Sequence, residues 1–287
     1  MSRRSNLSQE RLPCTKPRSF SIEQSQKLRG NPMKRFSIIV CATQIVLSLY
    51  CTAATAAPLP VMLLDFNKQA ADESFIDASG NGNNAICVSD CNTDGDAVFF
   101  YSWDWLEVPD SPQLNPRDEF SVAAWIYPAN AAYPMDPTGI DDWFVVPQKI
   151  LGKVTGDFDG GYVLGLEVNA KNRHKYTLFA ETWDSTGKQF SLLKGTVDYS
   201  VPSHVAMTWK KRGTMKTYVN GKLVGVVDTG RNPIGENSNP FRIGIAPWDT
   251  NALLFEGDMD NVAFFRKELS PAQIKALMNK PSAFDRY

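Results

Sequence analysis

The stretch HVAMTWKKRGTMKTYVNGKLVGVVDT, residues 204–229, holds three short runs rich in β-branched and aromatic residues. HVAMTWKK (204–211), TMKTYVN (214–220) and KLVGVVDT (222–229) are each of strand length. Asn220-Gly221 between the last two is the strongest hairpin signal in the chain, because both turn positions need positive φ. That turn pins the register, and a slip of one residue would reverse both faces of the hairpin. The same texture extends outward in both directions. VMLLDF (61–66), DAVFFYSWDWLEVPD (96–110), EFSVAAWIYPA (119–129), KILGKV (149–154), GYVLGLEV (161–168), KYTLFAETW (175–183), FRIGIAP (241–247) and DMDNVAFFR (258–266) read as further strands between Gly, Pro, Asn and Asp clusters. One helix is expected, SPAQIKALM (270–278), with Ser270 as N-cap, Pro271 at the first helical position and Gln273 completing a capping box. Many short strands and one short C-terminal helix predict an all-β fold, a two-sheet antiparallel sandwich or jelly roll, as a single domain over residues 57–287.

Residues 1–56 read differently. MKRFSIIVCATQIVLSLYCTAATAAPLP, from Met33, places Lys34 and Arg35 before an apolar run that ends in small residues. This is the layout of a secretory signal peptide with its start at Met33, behind a basic N-terminal extension. The alternative is an uncleaved anchor, since Phe36 to Ala57 is nearly long enough to span a bilayer. Gln44, Thr43 and Ser48 dilute the run and favour cleavage. A secreted, extracellular or periplasmic protein without stable membrane insertion is therefore expected. Residues 1–56 carry nine of the 30 Lys and Arg and two of the 31 Asp and Glu, so residues 57–287 keep 21 basic and 29 acidic residues, a net charge of −8. An acidic domain of this kind is a poor partner for nucleic acid or anionic membrane. KNRHK (171–175) is a short basic run and reads as a solvated hairpin tip. Beyond residue 56 the cysteines are Cys87 and Cys91, and an even pair in an exported chain predicts a disulfide closing a tight loop.

DASGNGNNA (77–85), WLEVPDSPQLNPRDEFSVAAWIYP (105–128), GGYVLGL (160–166), HVAMTWKKRGTMKTYVNGKLVG (204–225), FRIGIA (241–246) and FEGDMDNVAFFRKELSPAQIKAL (255–277) follow one another in an order that resembles the laminin-G-like jelly-roll domains of the concanavalin A-like lectin/glucanase superfamily. The resemblance runs from about residue 61 to 280. It implies the jelly roll. For function it implies less, because the fold hosts lectins, adhesion domains and some enzymes. It also implies a structural Ca²⁺ where the DASGNG loop meets the last strand, at Asp77, Asn81 and Asp260, with oxygen donors that suit the ion. Read from the residues alone, Asp77 and Asn81 build an Asx-type turn. Asp65 is a further ligand or a strand-end residue.

FEGDMDNVAFF, 255–265, poses the question of catalysis. Glu256, Asp258 and Asp260 recur at period 2 and so are expected on one face of a strand. Related glucanases carry E-x-D-x-E or E-x-D-x-x-E mid-chain on a central strand. Here the sequence is E-x-D-x-D, next to the C-terminal helix, and its last carboxylate is one methylene shorter. Retaining glycosidases hold their carboxyls about 5–5.5 Å apart, so a closing strand of a non-catalytic module is the expectation. No G-x-S-x-G, H-E-x-x-H or phosphate-cradling loop occurs.

Binding needs aromatic rings for the C–H faces of sugars and polar groups for their hydroxyls. Trp125 and Trp209 lie inside strands and read as core, and Trp105 fits either role. Trp143, Trp183, Trp248 and Trp103 stand at turns beside acidic residues, as sugar platforms or as packing beneath loops. AAYPMDPTGIDDWF (131–144) is a long insertion of the kind that carries function. The expected ligand residues are Tyr133, Asp141, Asp142, Trp143, Trp183 and Trp248, the expected partner a carbohydrate or polysaccharide, with a protein partner or a divergent polysaccharide-degrading enzyme as alternatives.

Overall fold

The computed structural model describes residues 57–286 except 90, 101–103, 130–147, 157, 159, 170–171, 173–174 and 248–253. The signal segment therefore lies outside the described residues, as do Tyr133, Asp141, Asp142, Trp143, Trp248 and Trp103. Fifteen strands are described: β1 (Met62–Leu64), β2 (Ile86–Val88), β3 (Asn92–Thr93), β4 (Val98–Phe100), β5 (Trp105–Val108), β6 (Glu119–Pro128), β7 (Gln148–Val154), β8 (Gly161–Val168), β9 (Lys175–Trp183), β10 (Gln189–Asp198), β11 (Ser203–Lys210), β12 (Thr214–Val219), β13 (Lys222–Asp228), β14 (Phe241–Ile243) and β15 (Gly257–Phe265). They form two antiparallel sheets. One runs β13-β12-β11-β6-β15-β4-β3 with β1 also on β15, the other β10-β9-β8-β7-β14-β5-β2.

The hairpin reading of 204–229 holds. Asn220 and Gly221 take φ of 49° and 70°, and β12 pairs β13 from Val219↔Lys222 onward. Alternation along β6 sends Phe120, Val122, Ala124 and Ile126 into the space between the sheets, where Leu164, Leu178 and Phe241 of the second sheet meet them. Phe120 sits at the centre, 5.7 Å from Phe264 and 4.8 Å from Tyr162. Trp209 is buried here, as expected of a core residue.

DAVFFYSWDWLEVPD is not one strand. β4 and β5 belong to different sheets, because the chain crosses the sandwich between them. QFSLLKGTVD, unread in the sequence, is β10, the edge strand of its sheet. Its polar and exposed positions hide the alternation that a half-buried strand shows. Of KNRHK, Asn172 and Lys175 are described, in a turn where Asn172 N donates to Asn169 O and Lys175 N to Asn172 O.

The helix α1 (Pro271–Met278) carries the expected capping box: Ser270 Oγ accepts from Gln273 N, and Gln273 Oε1 accepts from Ser270 N. Its apolar side, Ile274 and Leu277, packs on the outer face of the eight-stranded sheet against Ala123, Ala206 and Ala263. These alanines are register partners across β15, β6 and β11. Their small side chains let the helix approach the sheet closely. No described helix is long and apolar enough to cross a membrane.

Cys87 and Cys91 are bonded. Cys87 lies in β2 at one end of the seven-stranded sheet, and Cys91 immediately precedes β3 at the end of the other. The bond thus clips the two sheets at one side of the sandwich. So short a loop removes little chain entropy, about 2 kcal/mol. The Cys87→Ser/Cys91→Ser double variant is expected to lose about that much in urea unfolding, and a loss of about 4 kcal/mol or more would mean that the clip holds the sheets in register.

Lys153 is inside the sandwich with a fully buried side chain. Its Nζ donates to Asn237 O (2.6 Å), Asn237 Oδ1 (3.1 Å) and Asn239 O (2.6 Å), and faces Asp110 Oδ1 at 2.9 Å. Burial lowers its pKa, and Asp110 opposes that shift. One ammonium thereby ties β7 to two irregular segments that the sheets do not hold.

Candidate functional site

The outer face of the eight-stranded sheet is covered by α1 over its row of alanines, and beyond that row it opens. The next row across β15, β6 and β11 is Asp260, Trp125 and His204, paired Asp260↔Trp125 and Trp125↔His204. Met259 is core, so Asp258 and Asp260 point outward, while Glu256 precedes the strand. The expected alignment of three carboxylates is thus reduced to two. Asn261, at φ 52°, breaks the register between Asp260 and Ala263 and opens the surface beside α1.

A cleft of about 640 Å³ lies at the Asp260 end, where Asp65, Asp96 and Asp285 join Asp260 with Asn67 and Asn261. A second, open pocket of about 510 Å³ lies over Trp125, with Asn220, Asn279 and Met278. Lys280 and Asp285 line both pockets, so the two are neighbours at the 280–285 segment. A small cavity of about 20 Å³ borders Trp125 and His204 and is otherwise lined mostly by apolar side chains, among them Leu63, Ala123, Phe265 and Leu277.

The groups in the row are perturbed in opposite directions. Burial pushes the Asp260 carboxyl up to about 7, and Asp65 and Asp96 add to the shift. Its donors, Asn261 N, Asn261 Nδ2 and Ala283 N, oppose it. Burial lowers His204 to about 4, so the ring is neutral at pH 7. The rings of Trp125 and His204 meet edge to face at 5.6 Å. Trp125 Nε1 and His204 Nδ1 are buried and have no hydrogen-bond partner among the described residues. Each such atom costs about 1–3 kcal/mol, which is unusual to leave uncompensated.

The sequence placed Trp125 in the core, and the structure corrects this. With Val122, Ala124 and Ile126 facing inward, Trp125 must face outward beside Ala123. The strand is apolar on both faces because a helix covers part of its outside, so alternation alone does not tell which phase is the core. Trp183 is also corrected. It ends β9, is 4% exposed and packs with Phe158, Val163 and Phe179, so it offers no open ring face. Trp105 is half-buried and donates from Nε1 to Glu107 Oε1, which also takes Arg242 Nε at 2.8 Å.

Asp77, Asn81 and Asp260 do not come together as an ion site. The Asp77 oxygens accept from Leu63 N, Ser79 N and Asn83 N. Asn81 Nδ2 donates to Val61 O and Ser79 Oγ. The loop is therefore an Asx-type turn satisfied by its own backbone, while Asp260 caps Ala283 on the other side of β1. Among the described residues no group of three His, Cys, Asp or Glu side chains is close enough to hold a metal. The residues present do not fit the implied calcium.

No curated protein sequence matches the chain. Solved structures do. Botulinum neurotoxin type C, whose cell entry depends on interaction with two ganglioside molecules, aligns at TM-score 0.53 and 17% identity over 77% of this chain and 50% of its own. The binding domain of botulinum neurotoxin DC in complex with rat synaptotagmin II aligns at 0.53 and 14%, over 77% and 51%. The binding domain of Paraclostridial Mosquitocidal Protein 1 gives 0.53 and 14%, over 77% and 52%. Identities this low concern the fold alone, and the chain spans about half the length of each structure. A laminin G family model, described as concanavalin A-like lectin/glucanases superfamily, matches residues 102–275, and the chain belongs to that family.

Proposed function

We propose that this is an exported, non-catalytic glycan-binding domain and that the neighbouring pockets beside α1 are its binding site. The observation that carries the reading is a carboxylate- and amide-lined cleft next to an open pocket lined by the partly exposed Trp125. A flat indole takes the C–H face of a sugar, and Asp and Asn side chains take its hydroxyls. Four Asp against one Lys in the cleft disfavour sialylated, sulfated or uronic acid polymers, so a neutral glycan is the expected ligand. The likeness to a toxin domain that depends on gangliosides supports a sugar ligand in general, although the acidic cleft argues against an acidic one. Asp260 is engaged by three N–H donors at the end of a closing strand, which suits holding residues 283–286 better than proton transfer. The disulfide fits an oxidising compartment.

A protein ligand is the second reading. It has its own support in Leu193 of β10 and Leu223 and Val226 of β13, about half exposed on the edge strands of the two sheets. Affinity electrophoresis of the full chain through gels of neutral and acidic polysaccharides separates the readings. Retardation is expected in a neutral polymer and absent in a polyuronate. Trp125→Ala should weaken it about tenfold, since an aromatic contact is worth about 0.5–1.5 kcal/mol. No retardation in any gel would move the assignment to the protein-binding edge, and shortening of the polymer would make the domain an enzyme.

A further inference from the structure

The free edge of the eight-stranded sheet is β13, KLVGVVD, residues 222–228. Among the described residues no strand pairs with its outer side. Exposed edges are commonly guarded by proline, by short length or by a charge within the strand. β13 is seven residues long, has no proline and carries its charges only at its two ends. Its middle is apolar, and Leu223 and Val226 are 49% and 46% exposed. The register explains how both lie on one face. Leu223 is opposite Tyr218 and Val226 opposite Lys216, with the pairing shifted between Thr217 and Tyr218. Tyr218 packs with the residues under α1, and Met215 beside Lys216 is core, so Leu223 and Val226 share the outer face. The shift leaves Val224 and Gly225 consecutively on the inner face. Val224 packs on the core, and a Cβ added to Gly225 would lie 2.9 Å from Leu192 of β10. The second sheet thus backs the edge and holds it in place.

This strand is complementary to itself. Laid antiparallel on a second copy with Leu223 opposite that copy's Val226, it sets Val224 opposite Gly225 and Lys222 opposite Val227. Outer residues then meet outer ones and inner residues meet inner ones, as pairing across a sheet requires. Two-fold symmetry repeats each contact, so two Leu223 and two Val226 side chains close over one another at the centre. At each end Lys222 comes one position from the other copy's Asp228. Both residues are exposed, and neither has an ion-pair partner among the described residues. Backbone hydrogen bonds alone would accept any extended strand. The matched apolar faces and the opposite end charges single out a second copy of this chain. We propose that β13 is the two-fold interface of a homodimer in which two eight-stranded sheets join edge to edge. The proposal does not rest on the glycan reading, and it assigns the β13 edge to a second copy rather than to a foreign protein.

Sedimentation velocity of the full chain over a concentration series tests this. The expected result is a reversible monomer–dimer equilibrium. Lys222→Asp and Asp228→Lys each set like charges against one another at both ends of the interface, and each should raise the dissociation constant about tenfold or more. The Lys222→Asp/Asp228→Lys double variant restores opposite charges and should return to within about threefold of wild type. Leu223→Lys, which puts two ammonium groups into the apolar centre, should leave only monomer. All these positions are exposed, so urea midpoints are expected to stay unchanged, and a variant that keeps its midpoint reports on association alone. A chain that is monomeric at every concentration overturns the proposal and leaves β13 open to a foreign partner. A dimer indifferent to the single charge reversals, or a double variant no tighter than the singles, places the contact elsewhere and overturns it too. Open-ended oligomers do the same, because a two-fold edge contact closes at two copies.

Discussion

Lys153→Met is expected to lower the unfolding free energy by about 3 kcal/mol, the lower end of what breaking a buried ion pair costs. The substitution keeps most of the apolar stem and removes the ammonium. Asp110 Oδ1 and the oxygens of Asn237 and Asn239 then face each other without a cation. Asp110 is partly exposed, so water relieves part of its penalty, and the carbonyls behind it bear the rest. Urea unfolding of Lys153→Met, Asp110→Asn and the double variant measures the effect and its coupling. A loss under about 1 kcal/mol would put this pair with ordinary surface ion pairs.

The second large effect is acid-dependent and belongs to His204. Its folded pKa is about 4, against 6.5 when exposed, and burial is the cause. A depressed pKa means that the unfolded chain binds the proton more tightly. The stabilisation is therefore present above pH 6.5 and is lost as pH falls toward 4. The loss amounts to about 3 kcal/mol by pH 4, taking 1.36 kcal/mol for each pKa unit. Carboxylates titrate in the same window, so the comparison with His204→Asn isolates the histidine. The stability difference between wild type and variant should shrink by about 3 kcal/mol between pH 7 and pH 4. A difference independent of pH would mean that the ring is already protonated, or solvated, in the folded state.

Much of the fold was legible because its signals are local. Asn220-Gly221 demanded positive φ, and the structure shows it. Ser270, Pro271 and Gln273 announced the helix start through bonds spanning three residues. Cys87 and Cys91 could bond because they lie four positions apart. The runs GYVLGLEV and KYTLFAETW appear with the bounds read from the sequence. The site was less legible. Asp260 was singled out, but for an ion with Asp77, when its partners are Asn261 and Ala283. Trp125 was assigned to the core and Trp183 to a loop platform, and the structure reverses both.

The error at Trp125 has a physical origin. Period-2 alternation divides a strand into two faces without naming which is inside. In β6 both faces are apolar, one toward the second sheet and one toward α1. Sequence by itself determined the all-β class, the hairpin register, the capped helix and the disulfide, because each is set by residues a few positions apart. Tertiary structure alone decided that residues as distant as Asp65, Trp125 and His204 line pockets that share Lys280. Cross-strand neighbours depend on strand order in the sheet, and strand order is set by the packing of the whole sandwich rather than by any local stretch of chain.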